Sequence, residues 1–521
     1  MAGTEWEHGR KGNPAMTKTL LILGLYGFSV AAALAADPAL TIYNQNFAVV
    51  RDTIPLDLKE GVNDVSFADT TAHLEPDSVI LRDPNGKMKL QILEQNYRND
   101  PVSQELLLSF FEGKTIDFLV KEIDKPNVII SGKIIRSGYV THSQEAMRRY
   151  GQQYYQSQMA YSNGATGQPI IEINGKIQFG LPGQPIFPSL GDDTILKPML
   201  SWKLATDAPG KLDAELAYIT NGMSWEADYN VVAPENSDLL EFVGWVTMDN
   251  QSGKTFDNAK IKLMAGDVNK IQNQNGMAMD QLQTAAMSMA MPIGGAMAPV
   301  TQKTFDEYHL YTLPRATTLH DGETKQVEFI HASGVKSEKV YVYDGVEINW
   351  DQWRYNWQGI RENDAFGAQS DTKVAVMREF KNSEANHLGM PLPKGRVRFY
   401  KQDEKQLEFT GENVIDHTPQ DELVKIYTGN AFDLVGERTR KNFVVDSGNR
   451  WADETFAIKL RNHKKEPVEI RVVEHLYRWT NWAISENTDP FTKTNAQEIE
   501  FRIPLKPDEE RAVSYKVHYS W

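Results

Sequence analysis

The chain contains no cysteine in its 521 residues. This absence excludes thiolate catalysis, zinc and iron–sulfur sites built on cysteine, and structural disulfide bonds. It also excludes a lipid anchor attached to an N-terminal cysteine. The folded protein must therefore be held together by its hydrophobic cores alone, which large β-domains can achieve even in an oxidising compartment.

Positive charge is also scarce. Lysine and arginine together number 55, against 70 aspartates and glutamates, so the net charge is −15. Binding to phosphate groups needs a concentrated basic face, and the sequence offers no cluster that would supply one. We therefore expect neither nucleic acid nor an anionic membrane surface as a partner.

Long apolar runs are absent except near the N-terminus. There, Lys18 precedes the run Leu20–Phe28, and Ala33-Leu34-Ala35 offers small residues. This order is typical of a secretory signal peptide, and we expect cleavage near Ala35 or Ala36. The alternative is an N-terminal membrane anchor, for which the run is short. The prediction is an exported protein, periplasmic or secreted, with no membrane span after cleavage.

Short alternating segments separated by polar turns fill the rest of the chain. Leu40–Arg51 is strand-like, and Asn174-Gly175 between two alternating segments predicts a type I′ hairpin. After the strand predicted at Leu423–Tyr427, Gly429-Asn430 and Gly436 are expected to interrupt the pattern. The sequence predicts a mainly β protein with several antiparallel β-sandwich or barrel domains and little helix.

Changes in spacing and composition divide the chain into five predicted regions. They are an upstream segment with the signal peptide (1–36), an N-terminal β domain (37–114), a small β-barrel-like module with a short helical excursion (115–199), a central β-sandwich with a Met-rich loop at 272–300 (200–330), and a C-terminal β-sandwich (331–521).

Four motifs in the same order resemble a known family. They are Ile42–Arg51 (IYNQNFAVVR), Met223–Tyr229 (MSWEADY), Tyr308–Tyr311 (YHLY) and Asn430–Asp433 (NAFD). Together they are similar to the bacterial exported domain-of-unknown-function 4139 family, loosely called mucoidy inhibitor A-like, from about Leu40 to Trp521. The resemblance implies a β-rich architecture and export. It brings no catalytic residues.

Glu412, Asp416 and His417 lie close together in the segment GENVIDHTPQDE. Two carboxylates and a histidine could serve acid–base chemistry. Their spacing matches no catalytic motif, and Asp-His-Thr-Pro is also ordinary turn chemistry. These residues are weak candidates for an active site.

Six methionines crowd the loop 272–300, and their soft thioethers favour Cu(I). They are Met277, Met279, Met287, Met289, Met291 and Met297. A flexible apolar loop that packs on a neighbour explains them equally well. No histidine or cysteine in the loop completes a metal site.

Trp350, Trp353 and Trp357 recur beside Tyr355 in the segment INWDQWRYNWQG. Such rings could stack on sugar faces or anchor a protein partner. The alternative is core packing at a domain junction, because tryptophan is usually largely buried.

Phosphate loops, nucleophile elbows, metalloprotease motifs and calcium loops are all absent from the sequence. We expect no cofactor. The sequence favours a binding or scaffolding protein for an envelope polysaccharide or protein. The alternatives are a hydrolase of envelope glycans, whose two carboxylates leave no local signature, and a Cu(I)-binding exported protein.

Overall fold

The computed structural model describes residues 37–99, 102–121, 126–139, 168–188, 190, 194–235, 237–266, 268–270, 300–305 and 307–521. Strands dominate this part of the chain and helices are few and short, which confirms the prediction of a mainly β protein. Within the same residues, none of the helices has the length and apolar character needed to cross a membrane.

Among the described residues before 337, the structure has nineteen strands and one α-helix. They are β1 (Ala39–Tyr43), β2 (Phe47–Leu58), β3 (Gly61–Ala68), β4 (Ile80–Arg82), β5 (Leu90–Arg98), α1 (Gln104–Phe110), β6 (Thr115–Val120), β7 (Val128–Arg136), β8 (Ile170–Ile173), β9 (Lys176–Phe179), β10 (Gln184–Ile186), β11 (Met199–Thr206), β12 (Gly210–Asn221), β13 (Met223–Ala233), β14 (Leu239–Asn250), β15 (Phe256–Ala265), β16 (Thr301–Phe305), β17 (Tyr308–Thr312), β18 (Thr317–Leu319) and β19 (Glu323–Lys336).

The remaining elements are mostly longer strands. They are β20 (Glu338–Asp344), β21 (Val346–Glu347), α2 (Trp350–Trp353), α3 (Trp357–Glu362), β22 (Gln369–Ser370), β23 (Lys373–Lys381), β24 (Gly395–Asp403), β25 (Gln406–Ile415), β26 (Leu423–Asp446), β27 (Trp451–Asn462), β28 (Val468–His475), β29 (Trp482–Asn487), β30 (Phe491–Asn495), β31 (Glu498–Leu505) and β32 (Glu510–Ser520).

Three sheets enclose the main core. The first has the order β16-β17-β15-β1-β2-β12-β4, with β18 paired to β15, the second β3-β11-β5, and the third β19-β14-β13-β24-β25. Their inward side chains, among them Ile42, Trp202 and Phe242, form one buried cluster. Alternation of buried and exposed residues along these strands places one face on the core and the other towards water.

The fourth sheet has nine strands and a core of its own. Its order is β29-β32-β27-β26-β23-β20-β28-β31-β30. The edge strands β29 and β30 follow each other in the chain, and Trp482 Nε1 donates to the carbonyl of Ala496 at 2.9 Å across the gap between them. The inward side chains of this sheet form a hydrophobic core separate from the main one.

Parallel pairing joins distant parts of the chain. Strand β1 pairs in parallel with β15, β13 with β24, and β20 with β28, while the other long ladders are antiparallel. Strands from the predicted regions 37–114 and 200–330 therefore share one sheet, and strands from 200–330 and 331–521 share another. The predicted boundaries stay a prediction, but the sheets do not follow them.

Residues 115–188 supply an open five-stranded sheet of order β10-β6-β7-β8-β9. It covers a small core formed by α1 and inward residues such as Phe118 and Ile171. The barrel-like description was wrong, because β9 and β10 are separate edges. The hairpin at Asn174-Gly175 is confirmed, with both residues at positive φ. The predicted helical excursion falls outside the described residues.

Two local expectations were wrong. Leu40–Arg51 is not one strand, because Asn44-Gln45-Asn46 turns the chain back and β1 pairs antiparallel with β2. Gly436 does not interrupt the chain, because β26 runs through it to Asp446.

Candidate functional site

Residues 345–372, here called the aromatic insert, leave the nine-stranded sheet between β20 and β23. The two-stranded ladder of β21 and β22 closes the base of the insert, with Val346 opposite Ser370. Helices α2 and α3 form its body. Each begins after an asparagine, since the side chain of Asn349 accepts from the Asp351 amide and that of Asn356 from the Gly359 amide. Asparagine is a favoured residue at this capping position, so the sequence itself sets where both helices start.

The three tryptophans of the insert occupy different environments. Trp353 is 7% exposed and packs with Ile360 and Phe366 in a small core. Trp350 is 43% exposed and meets the ring of Phe366 edge to face at 6.2 Å. Trp357 is 64% exposed. Core packing therefore accounts for Trp353, while Trp357 presents its indole to solvent.

Tyr355, between the two helices, is 86% exposed. Only one residue separates it from Trp357. The insert therefore carries two exposed aromatic rings close together in the chain, on a segment whose small core contains Trp353, Ile360 and Phe366. A preorganised surface of this kind loses little conformational freedom when a ligand binds.

Arg478 holds the insert from below. Its guanidinium donates to Glu454 Oε1 at 2.7 Å. It also donates to four carbonyl oxygens of the insert, those of Ile360 (2.7 Å), Arg361 (3.2 Å), Asn363 (3.1 Å) and Phe366 (3.1 Å). The last carbonyls of a helix lack partners within the helix, so a buried arginine at the end of α3 satisfies them.

Two further arginines from β26 reach the same segment. Arg438 donates to the carbonyl of Gly367 at 2.7 Å, and Arg440 donates to the carbonyl of Phe366 at 3.2 Å. Three cationic side chains, two from β26 and one from the segment after β28, therefore hold the part of the insert between α3 and β22. Hydrogen bonds with a charged partner are stronger than neutral ones, which makes this attachment rigid.

Arg438 is itself paired with a fully buried carboxylate. Its Nε lies 3.0 and 2.9 Å from the two carboxylate oxygens of Glu474, and Tyr515 donates to Glu474 Oε2 at 2.5 Å. Burial alone lowers the pKa of Arg438, but the charge and hydrogen bonds of Glu474 outweigh it and raise that pKa above its ordinary value. Burial, then the charge of Glu474, raises the pKa of Tyr515 well above its usual range. Arg438 therefore stays charged and Tyr515 stays neutral.

The cavity beneath the insert is too small for an organic ligand. Arg438, Glu454, His475 and Arg478 are among the residues that line it, and its volume is about 10 Å³. A single water molecule needs about this much room. The buried charges therefore have a structural role, and the accessible part of the site is its outer aromatic surface.

Arg361 extends this surface towards the end of the chain. Its guanidinium lies 5.1 Å from the ring centre of Trp479 and 5.7 Å from that of Trp521. Both tryptophans are half-buried. Cation–π contacts of this length join α3 to residues that follow β28 and β32.

Asp416 and His417 both contact Lys394, whereas Glu412 lies beside a different cation, Arg398. Glu412 on β25 lies 3.8 Å from Arg398 Nε, and the exposed Asp416 lies 3.7 Å from Lys394 Nζ. His417 Nδ1 accepts from the backbone amide of Lys394 at 3.1 Å. Across the described part of the chain, no group of three or more His, Asp or Glu side chains could hold a metal ion.

The methionines predicted as Cu(I) ligands lie outside the described residues. This holds for Met277, Met279, Met287, Met289, Met291 and Met297. The copper site therefore stays a prediction.

Sequence reasoning missed the buried network, although the sequence contains a signal for it. Along β27 the inward positions hold Ala452, Glu454, Phe456, Ile458 and Leu460. Glu474 on β28 and Arg438 on β26 likewise stand at inward positions. A charged residue at an inward position of a strand must find a partner inside the protein, so three such residues in strands that follow one another in the chain predict an ionic cluster.

Comparison with protein families gives a match over more than half of the chain. Residues 214–521 match the family described as a domain of unknown function, DUF4139. The chain belongs to this family. The DUF4139 match contains the aromatic insert, its arginine anchors and every strand from β13 onwards. The motif Ile42–Arg51, which contributed to the resemblance, lies before it. None of the curated proteins matches the chain.

Proposed function

We propose that this DUF4139 protein is exported to the cell envelope and binds an envelope polysaccharide through the aromatic insert. Export rests on the order of charged, apolar and small residues from Lys18 to Ala36. Binding rests on one observation, the exposure of Tyr355 and Trp357 on a segment that buried arginines hold in place.

Aromatic rings suit this ligand because a sugar ring has an apolar C–H face and a polar edge. Tyrosine and tryptophan offer the complementary combination, a large apolar face with one hydrogen-bonding group. Tyr355 and Trp357 are near each other in the chain and both are exposed. Each could take one ring of a chain of sugars, so the polymer would lie along the insert.

A binding role fits the molecule better than hydrolysis. A glycosidase needs two carboxyl groups facing each other across the scissile bond, roughly 5–10 Å apart. Glu412 and Asp416 contact different cations, Arg398 and Lys394, and both side chains are largely exposed. A hydrolase would shorten its polymer with time, whereas a binding protein would only retard it.

A thermal melt of the purified protein, with and without polysaccharide from its own envelope, tests the proposal. Ligand at about 100 times its dissociation constant should add roughly 2.7 kcal/mol to the stability of the part that binds it. We expect a rise of several degrees for the wild type and none for Trp357→Ala.

Phe409→Ala is the matched control, because Phe409 is also exposed but lies on β25 outside the insert. It should keep the ligand-induced rise. No rise for the wild type would sink the polysaccharide proposal and direct attention to a protein partner, to be sought by crosslinking in the envelope. A rise that persists in Trp357→Ala would move the binding surface away from the insert.

A further inference from the structure

Arg361 stands about one helical turn after the exposed Trp357 on α3. The two residues are four positions apart, and side chains with this spacing are neighbours on the surface of a helix. The buried side of the same helix carries Ile360, which belongs to the small core of the insert. The aromatic insert therefore has a cation beside one of its two exposed rings.

Two indole rings fix the position of this cation. The guanidinium of Arg361 lies over the rings of Trp479 and Trp521, and both tryptophans pack against the core of the nine-stranded sheet. The face of a ring attracts a cation without supplying an oxygen acceptor for its N–H groups. The contacts therefore hold the charge in place and leave its hydrogen-bonding capacity unused.

The guanidinium has no acceptor inside the protein. Arginine carries five N–H donors, and within the described residues none of those of Arg361 has a hydrogen-bond or ion-pair partner. Its Nε is enclosed, whereas the two terminal nitrogens are not and can meet a group from solvent. Unsatisfied donors on a charged group cost free energy, so a half-buried guanidinium normally has an acceptor.

The arginines that hold the insert differ from Arg361 in this respect. Arg438 pairs with Glu474 at 2.9 Å, and Arg478 pairs with Glu454 at 2.7 Å. The carboxylates of the sheet thus neutralise the anchoring charges. The charge of Arg361 is left for a partner from outside the chain.

Glu362, the next residue on the helix, does not supply the acceptor. Its Oε2 accepts instead from Gln358 Nε2 at 3.2 Å. The whole molecule carries a net charge of −15, so diffuse attraction would not favour an acidic ligand. Any selection of an anion must therefore come from a local contact such as Arg361.

A sugar carboxylate matches the free donors. The planar fork of a guanidinium fits the two oxygens of a carboxylate, and such charge-assisted hydrogen bonds are about twice as strong as neutral ones. Trp357 offers a face for the apolar side of a sugar ring. Arg361, about one turn away, would meet the acid group on the polar edge of the same polymer.

We propose that the aromatic insert selects acidic polysaccharides, with Arg361 binding the carboxylate of a uronic acid while Trp357 stacks on a sugar ring. This inference rests on the polysaccharide-binding function proposed above and adds the class of sugar to it. Tyr355 and Trp357 supply the affinity that all sugars share, and Arg361 supplies the discrimination between acidic and neutral ones.

Isothermal titration calorimetry tests the selection with polysaccharide from the protein's own envelope, before and after chemical reduction of its carboxyl groups. Reduction converts each uronic acid into the neutral sugar with the same ring, so it removes the charge and keeps the stacking face. Wild-type protein should bind the native polymer about ten- to a hundredfold more tightly than the reduced one, as expected for hydrogen bonds between charged groups.

Three variants separate the roles of the charge and the ring. Arg361→Gln should bind both polymers with the affinity that the wild type has for the reduced one. Arg361→Lys should keep part of the preference, because it retains the charge but not the planar fork. Trp357→Ala should weaken binding of both polymers, since both present the stacking face.

Arg82→Gln is the matched control, because Arg82 is an exposed arginine on the first sheet and pairs with Glu215. It should keep the full preference of the wild type for the native polymer. Melting curves without ligand establish that each variant is folded. Arg361→Lys keeps a cation over the two indole rings, so it tests the contact even where Arg361→Gln is unstable.

Equal affinity of the wild type for native and reduced polymers would overturn the inference and leave the binding function intact. Binding of neither polymer would overturn both. An equal loss of affinity for the two polymers in Arg361→Gln would also overturn it, because Arg361 would then act on its neighbouring rings or on an anion other than a carboxylate.

Discussion

Arg478 is the residue on which the position of the aromatic insert depends. It is a cation at a buried position in an otherwise apolar segment, and its side chain is 1% exposed. It links the carboxylate of Glu454 in the sheet to four carbonyls of the insert. Removing it leaves a buried carboxylate and several buried carbonyls without their strongest partner.

Arg478→Ala should lower the free energy of unfolding by about 3–5 kcal/mol, the usual cost of breaking a buried ion pair from one side. Urea unfolding followed by tryptophan fluorescence measures the loss. Arg502→Ala is the control, because Arg502 is largely exposed and its ion pairs with Glu469 and Glu500 lie at the surface. It should cost less than about 1 kcal/mol. Equal midpoints for the two variants would contradict the anchoring role.

His475 makes stability depend on pH. Burial lowers its pKa, but the hydrogen bond and charge of Asp344, with Glu498 and Glu474 nearby, outweigh burial and raise the pKa above 6.5. A raised pKa means that the folded protein binds the proton more tightly than the unfolded chain. The contribution is therefore fully present below about pH 6.5 and is lost as pH rises through the folded pKa.

Wild-type protein should lose more stability between pH 6 and pH 9 than His475→Gln does. Melting temperatures of both proteins in matched buffers provide the measurement. Asp344→Asn should reduce the same pH dependence, since it removes the main partner at 2.9 Å. Parallel pH profiles for all three proteins would refute the assignment.

At the level of the strand, Gly436 shows why β26 can run unbroken through a glycine. A Cβ atom at this position would overlap the ring of Tyr343 on β20. Tyr343 is fully buried and its hydroxyl donates to the carbonyl of Asp371 at 2.7 Å. The glycine is needed for close packing of this ring, not for a turn.

Gly436→Ala should therefore destabilise the protein by about 1–3 kcal/mol through overpacking. Chemical denaturation of the variant measures the effect. Gly448→Ala is the control, because its new methyl group would meet only the side chain of Asp446 at 3.3 Å in an exposed turn. If the two variants unfold together, Tyr343 must be able to move aside at little cost.

The sequence allowed most strands to be predicted, but not which strands pair with each other. The alternation of apolar and polar residues along Trp225–Val231 predicts a strand with one buried face, and this pattern depends only on local residue order. The parallel partner of this strand, β24, starts at Gly395, and nothing local in either segment encodes that pairing. Gly436 was misread for the same reason, since the ring that requires it belongs to a strand far away in the chain.

For the candidate site too, local features could be predicted from the sequence and long-range contacts could not. The tryptophan-rich segment was identified from composition, and its two helices start at asparagines that the sequence displays. Which ring would be exposed depended on Phe366 and Tyr477, which reach Trp350 only in the folded protein. The anchoring arginines were visible as charges at inward positions, but their partners in the insert were not.

At the scale of the whole molecule, the main core contains residues from both inside and outside the DUF4139 match. The cluster includes Leu40 and Val50 before the match and Leu263 and Phe399 within it. Strand β15, inside the match, has the N-terminal strand β1 as a direct neighbour. Residues 214–521 alone would expose these apolar faces and the unpaired edge of β15.

A fragment of residues 214–521 should therefore fail to give a cooperative melt when expressed alone. Supplying residues 37–213 as a second chain should restore a soluble complex that melts cooperatively, because strand pairing does not need a covalent link. Calorimetry and size-exclusion chromatography measure both outcomes. A fragment that melts cooperatively by itself would show that the match is an autonomous unit.

The parallel ladder of β1 and β15 also sets an order of events in time. Ala39 lies opposite Lys260, and every residue between them must be present before this pair can form. Contacts that close such long loops form slowly, and the waiting strands are prone to pair with the wrong partner. Strand β1 can pair with β2 as soon as both have left the ribosome, but its other edge stays without its partner until β15 follows about 200 residues later.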